Sequence, residues 1–237
     1  MKISIIIPVF NECNTINKIL EKIHKYKITN NCDFEIIIVD DGSTDNTVEI
    51  IKDNRDLYHK LITIKINQGK GHALNLGFKE ATGEIILIQD ADLEYDPNDY
   101  KKLFLPFEKF NADVVYGSRF KSSEVNRVLF FWHSIANKII TLFSNIVSNL
   151  NLTDVETGYK LFKRELIQEI DLKEKRFGIE IEITHKIANI IPQRKIFEVG
   201  ISYNGRPYSE GKKIGIKDAF AAIFCIIKYG LLGNFKR

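Results

Sequence analysis

The chain has 237 residues, of which 44% are hydrophobic and 27% charged, with only five prolines. This composition excludes wholesale disorder, and the length can bury a core without disulfide staples. A net charge of +3, from 34 basic and 31 acidic residues, is too balanced to mark a nucleic-acid binder, and no nucleic-acid partner is expected.

In chain order, the β-branched run 3–7 predicts a buried strand that stops at Pro8. Ile16, Ile19, Leu20 and Ile23 follow at helical spacing. A second strand over 35–39 ends in Asp40-Asp41-Gly42, and Ser43 or Thr44 then offers a helix N-cap ahead of Val48 and Ile51. A strand over 61–66, a helix over 70–81 with Gly83 at its exit, and a strand over 84–88 come next. Asp90-Ala91-Asp92 follows, then a helix over 99–110 and a strand over 113–116. Strands apolar on both faces and separated by helices imply a mostly parallel α/β sheet covered on both sides.

The pattern then changes. Residues 128–150 predict a long helix with Val128, Trp132, Ile135, Ile139, Leu142, Phe143, Ile146 and Leu150 on one arc. His133, Asn137, Lys138, Thr141, Ser144, Asn145 and Ser148 fill the other arc. A helix over 179–189 and a strand over 196–203 precede a final helix over 216–232. There Phe220, Ile223, Phe224, Ile227 and Leu231 form a wide apolar face beside Lys217, Ala221 and Lys228. That face either packs on the core or lies in a membrane interface. The longest uncharged apolar run nearby, 219–227, falls well short of the ~20 residues a span requires. The opening MKISIIIPVF is stopped by proline and lacks a signal peptide's cleavage site. Cys13, Cys32 and Cys225 form no CxxC pair and read as ordinary buried thiols in a reducing compartment.

In an open α/β sheet, ligands sit outside the carboxyl ends of the strands. Those ends carry Pro8-Val9-Phe10-Asn11-Glu12, Asp40-Asp41, Asp90-Ala91-Asp92 and Gly117-Ser118-Arg119, so acidic and polar groups gather on one rim. The Asp90/Asp92 pair, with Glu94 after it, supplies hard oxygen donors for Mg2+ or Mn2+ over a diphosphate leaving group. Asp40 and Asp41 can accept from a base N–H or ribose hydroxyls, or simply shape a turn and cap. Gly69-Lys70-Gly71 precedes a helix N-terminus that favours an anion. Arg119, Arg206, Lys212 and Lys213 are phosphate-binding candidates, and 203–213 reads as a flap over a charged ligand. No GxGxxG follows the first strand, so dinucleotide binding is disfavoured.

These motifs, with Val39-Asp40-Asp41-Gly42-Ser43-Thr44-Asp45, Asp154-Val155-Glu156-Thr157-Gly158-Tyr159-Lys160 and Glu210-Gly211-Lys212, resemble the family 2 glycosyltransferases of GT-A fold. Within them the chain is similar to the dolichyl-phosphate mannosyltransferase, or polyprenyl-phosphate glycosyltransferase, branch. The resemblance implies one GT-A domain over 1–237, with a nucleotide-sugar half to about residue 120 and an acceptor half beyond. It implies that Pro8, Phe10, Glu12, Val39 and Asp41 line the nucleoside pocket and that Asp90, Ala91 and Asp92 hold metal and diphosphate, with Glu94 beside them. Lys70, Arg119, Arg206 and Lys212 would meet donor or acceptor phosphates.

Two elements depart from the branch: Phe130-Phe131-Trp132-His133 stands where a basic run is common, and Glu156-Thr157-Gly158 stands where Thr-Ser-Gly is usual. The expected reaction is inverting, metal-dependent transfer of sugar from a UDP- or GDP-sugar to a polyprenyl phosphate. That acceptor is already anionic and needs no strong base, so positioning and charge neutralisation suffice, with Asp92 acting through the cation it would hold and Arg119 on the phosphates. A saccharide hydroxyl acceptor would need a base, for which Glu156 and Asp154 are the candidates. A non-catalytic nucleotide-sugar sensor is the third alternative. The lipid reading places the protein at the cytoplasmic face of a membrane, reached by its own helices or through a separate membrane protein.

Overall fold

The computed structural model describes residues 1–121, 127–128, 130–190, 194–206 and 216–233, with only the backbone at 216 and 217. Seven strands form one sheet: β1 (Lys2–Val9), β2 (Asp33–Asp40), β3 (Lys60–Thr63), β4 (Ile85–Ile88), β5 (Val114–Ser118), β6 (Lys160–Lys163) and β7 (Ile196–Gly200). Their spatial order is β3-β2-β1-β4-β6-β5-β7. β1 runs parallel to β2 and β4, β2 to β3, and β5 to β7, while β6 is antiparallel to both its neighbours. The predicted α/β class and mostly parallel sheet are therefore present.

β1 continues two residues past its expected end. Its pairing with β4 stops at Ile6, so Pro8 and Val9 have only β2 beside them, an edge-like setting that tolerates proline. β6 was not expected. It is four residues long, begins and ends in lysine, and enters the sheet only because Lys160 is fully buried against an acidic partner.

Two cores flank the sheet. One packs β1, β2 and β4 against α1 (Ile16–Thr29) and α4 (Tyr100–Phe110). The other packs the opposite face against α3 (Lys70–Glu80), α6 (Arg164–Glu169) and α7 (Ile179–Ile190). α2 (Thr47–Asp53) starts later than the predicted cap: Asn46 flanks it, with no side-chain cap. Ser43 and Thr44 instead bind Asn11, whose backbone N–H donates to Ser43 Oγ at 2.9 Å and whose Oδ1 accepts from Thr44 N at 2.8 Å. They tie together the loops that follow β1 and β2.

α5 (Phe131–Ser148) is shorter than the predicted 128–150 helix and is seated polar face inward. Asn137, Thr141 and Ser144 are buried, whereas Trp132 is 77% exposed, Ile146 70% and Leu142 61%. Hydrogen bonds explain the orientation. Thr141 Oγ1 accepts from Val155 N at 3.2 Å, Asn145 exchanges bonds with the backbone of Leu152 at 2.7 and 3.1 Å, and Ser144 Oγ meets His185 Nε2 at 3.1 Å. Each bond satisfies a polar group that a purely apolar helix face would orphan.

α8 (Ile216–Cys225) runs into a π-helical stretch, Ile226–Leu231, that packs on α5 and α7. Its inward stripe is Ala222, Cys225, Ile226 and Tyr229, while Phe220, Phe224, Ile227 and Leu231 face outward. Core packing thus accounts for a narrow stripe and leaves the wide apolar face exposed. Among the described residues no helix is long and apolar enough to cross a membrane.

Candidate active site

The carboxyl ends of β1, β2, β4 and β5 open into a cleft of about 850 Å3. Pro8, Phe10 and Glu12 come from the end of β1, Asp41 from β2, and Asp90, Ala91, Asp92 and Glu94 from β4. Lys70 enters from the start of α3, Arg119 follows β5, Glu156 precedes β6 and Arg206 follows β7. Twelve positions separated by much of the chain thus meet at one rim, with Ala91 between the two aspartates. Val39 is the exception: it is fully buried in the core and lies outside the cleft wall, because it sits inside β2, two residues before Asp41, where Gly77 of α3 covers it. Lys212 and Lys213, with most of the predicted flap, lie outside the described residues.

Asp41 shapes the nucleoside end. Its carboxylate accepts from Gln68 N at 2.9 Å and Gly69 N at 2.6 Å, which fixes the turn into α3. Gly69 has φ +104, and a Cβ there would lie 2.5 Å from Lys175 O, so only glycine fits. Asp40 takes the turn role anticipated for one of the pair, accepting from Ser43 N at 3.2 Å.

The acidic rim is cross-linked by cations. Lys70 Nζ sits 2.8 Å from Asp90 Oδ1 and 3.0 Å from Glu180 Oε1. Burial works against the charge on Lys70, but Asp90 and Glu180 outweigh it and raise its pKa. Arg206 reaches Glu12 at 3.2 Å and Asp92 Oδ2 at 2.9 Å, and its backbone N–H donates to Glu94 Oε1 at 2.7 Å. Burial, then the charges of Asp90 and Glu94, push the Asp92 carboxyl up while Arg206 opposes them.

A hard divalent cation fits Asp90 and Asp92 on three grounds. Both carboxylates line the cleft, each is paired with a side-chain cation, and residue 158 is glycine where a Cβ would stand 2.3 Å from Asp90 Oδ2. Glu94 fits less well than expected. Its two oxygens are taken by Tyr203 OH at 2.9 Å and Arg206 N, so it organises the β7 exit rather than facing the pair. No group of three His, Cys, Asp or Glu among the described residues converges as a ready cation cage.

The acceptor side is built on the 152–158 turn. Arg119 forms a two-pronged ion pair with Asp154, at 2.7 and 2.8 Å, and its guanidinium lies 5.2 Å from the Tyr203 ring centre. Asp154 is fully buried and therefore cannot serve as the alternative base. Asn137 on α5 donates to Asp154 at 3.2 Å and to Glu156 Oε2 at 3.3 Å. Burial, reinforced by Asp154 and opposed by Arg119, pushes the Glu156 carboxyl up to about 7. Trp132, His133, Ala136, Ala219, Phe220 and Ile223 continue the cleft wall from Glu156 toward the exposed faces of α5 and α8.

Sequence reasoning missed Glu180, Lys160, Tyr95 and Arg176. Glu180 belongs to Ile179-Glu180-Ile181-Glu182-Ile183, an alternation that breaks helical periodicity inside a helix and marks two buried carboxylates. Tyr95 carries no sequence signal, yet its hydroxyl accepts from Gly158 N at 2.8 Å.

Comparison with known proteins agrees with this rim. The chain is 29% identical over 219 residues to the dolichol-phosphate mannosyltransferase of Pyrococcus furiosus, covering 90% of this chain and 61% of that one. It is 22% identical over 239 residues to the dodecaprenyl-phosphate galacturonate synthase of Rhizobium johnstonii, covering 100% and 68%. This chain thus spans about two thirds of the length of these curated relatives. Its fold matches glucosyl-3-phosphoglycerate synthase from Mycobacterium tuberculosis, solved with Mn2+, UDP and glucosyl-3-phosphoglycerate, with a TM-score of 0.74 at 19% identity over 97% of this chain and 80% of that one. The model of glycosyl transferase family 2 matches residues 4–171, which hold every strand of the sheet but the last and the whole Asp90–Asp92 rim. The chain is an enzyme of that family.

Proposed function

We propose that the protein transfers a sugar from a nucleotide-diphosphate sugar to a polyprenyl phosphate at a membrane surface, with inversion at the anomeric carbon. The observation that carries this reading is the continuity of apolar surface. The outward faces of α5 and α8 run through Trp132 and Phe220 into the cleft and end at Asn137, Glu156 and Arg119. An amphiphile with an anionic head and a long apolar tail matches that gradient, and an exposed apolar patch of this kind marks a lipid or protein contact. Relatives named for dolichol phosphate and dodecaprenyl phosphate support it.

Pro8, Phe10 and Asp41 would frame the nucleoside, and Asp90 and Asp92 would hold Mg2+ or Mn2+, a reading supported by the Mycobacterium tuberculosis structures of the same fold that contain Mn2+ or Mg2+ with UDP. Such an ion, when bound, neutralises the diphosphate leaving group. Lys70, Arg206 and Lys212 would add charge to donor phosphates. The acceptor phosphate already carries the attacking anion, so this chain's task is to align it and screen its charge. The single-domain division near residue 120 and a peripheral position on the cytoplasmic face, directly or through a membrane protein, belong to the same proposal.

One observation favours a second acceptor class. Glu156, in the cleft with a pKa pushed up to about 7, is suited to take a proton from a sugar hydroxyl. Glu156→Gln separates the two. Transfer to prenyl phosphate should persist within about tenfold under the first reading, whereas a general base contributes roughly 10²–10⁴-fold and its loss would remove that factor.

A further inference from the structure

A buried carboxylate that none of the expected motifs contains stands behind the donor rim. Glu180, on α7, is 5% exposed. Its Oε2 accepts from Lys160 Nζ at 2.6 Å, and Lys160, fully buried, also donates to the Thr157 carbonyl. Its other oxygen, Oε1, lies 3.0 Å from Lys70 Nζ and completes no hydrogen bond. Lys70 stands between it and Asp90 Oδ1, which is the nearer at 2.8 Å.

The parts differ in freedom. The Lys70 backbone is clamped: a Cβ on Gly69 or Gly71 would strike the carbonyl of Lys175 or Glu174, and Glu182 holds that loop through the N–H groups of Lys173 and Glu174. Asp90 is confined too, with Oδ2 against Gly158. The Lys70 side chain is the mobile element, a three-donor ammonium on a flexible stem that can turn between two acceptors.

We propose that Lys70 is a tethered place-holder for the divalent cation, seated on Asp90 when the ion is absent and withdrawing to Glu180 Oε1 when it arrives. Glu180 and Lys160 are then positioning residues: Lys160 balances one oxygen of Glu180 and leaves the other to receive Lys70. An ammonium and a divalent ion cannot share one carboxylate oxygen without close like-charge contact, so binding of one displaces the other. The proposal rests on the reading that Asp90 and Asp92 hold the metal.

The test is Mn2+ binding to the nucleotide-free protein, read by the electron paramagnetic resonance of free Mn2+. Lys70→Gln removes the competitor and should tighten Mn2+ by about tenfold, within the range of couplings between contacting charged groups. Glu180→Gln removes the retreat and should weaken it by a similar factor. The double variant should match Lys70→Gln, because Glu180 has no effect once its ligand is gone. Circular dichroism melts check that Glu180→Gln stays folded, and Lys70→Gln alone keeps the prediction open if it does not. Unchanged or weaker Mn2+ binding by Lys70→Gln, or equal weakening by Glu180→Gln in both backgrounds, would overturn the proposal. Asp90→Asn is the control: if it loses Mn2+ while Lys70→Gln gains none, the place-holder alone fails. If Asp90→Asn binds as wild type, the metal reading fails and takes the proposal with it.

Discussion

The donor rim and the acceptor face of this enzyme follow opposite rules. At the rim, short strands deliver carboxylates and cations into the cleft, and nearly every charge there is paired: Lys70 with Asp90, Arg206 with Asp92 and Glu12. At the acceptor face, α5 buries its polar arc and turns its apolar arc outward, and α8 leaves its apolar face outward save for a narrow buried stripe. The rim is built to hold charge among fixed charges. The face is built to meet something apolar while its polar side shapes the turn that carries Glu156. The contrast teaches that amphipathicity alone does not say which way a helix faces; the backbone groups waiting beneath it do.

The largest expected effect lies at the rim. Asp92→Asn should lower nucleotide release from the sugar donor by on the order of 10³-fold, since it removes a carboxylate that would hold the divalent ion neutralising the diphosphate. Wild-type turnover would mean that Asp92 does not hold the ion over the diphosphate. Next comes the inward polar face of α5. Thr141→Val strips the acceptor from the buried Val155 N–H and should cost about 1–3 kcal/mol in thermal unfolding. No loss would mean that this face does not hold the turn.

The outward face gives the converse result. Leu142→Ser with Phe224→Ser should reduce flotation with anionic phospholipid vesicles by at least about tenfold, because each apolar side chain is worth about 1.5–3 kcal/mol when fully buried and a fraction of that when it only rests in an interface. Stability should shift by no more than about 0.5 kcal/mol, as for other exposed positions. Vesicle binding equal to wild type would assign the face to another occupant.

The smallest effect is a pH dependence. The Glu156 carboxyl, at about 7 in the fold against its ordinary 4.5, holds its proton better folded than unfolded. Its contribution to stability is therefore complete below about 4.5 and lost as pH rises through about 7. Melting temperatures between pH 5 and pH 8 should fall less steeply in Glu156→Gln than in wild type, and parallel slopes would place Glu156 in a less buried setting.

Much of the rim was legible in the sequence because strand ends are local. A β-branched run followed by Asp40-Asp41 or Asp90-Ala91-Asp92 states both the strand and what it delivers. The rest depended on contacts far apart in the chain. Lys160 reads as a loop residue until Glu180, twenty positions on, buries it in a strand. Val39 stands two residues before Asp41 but is packed into the core, because Gly77 of α3 closes over it. The inward face of α5 follows from the backbone of residues 152–155, which no helical wheel displays.

The account turns most directly on the acceptor. Radiolabelled donors carrying uracil or guanine should be offered with Mn2+ or Mg2+ to prenyl phosphate in vesicles and, in parallel, to free saccharides. Label that partitions into the organic phase as a mild-acid-labile lipid, with none in saccharide, is the predicted result. Labelled saccharide without labelled lipid would contradict it.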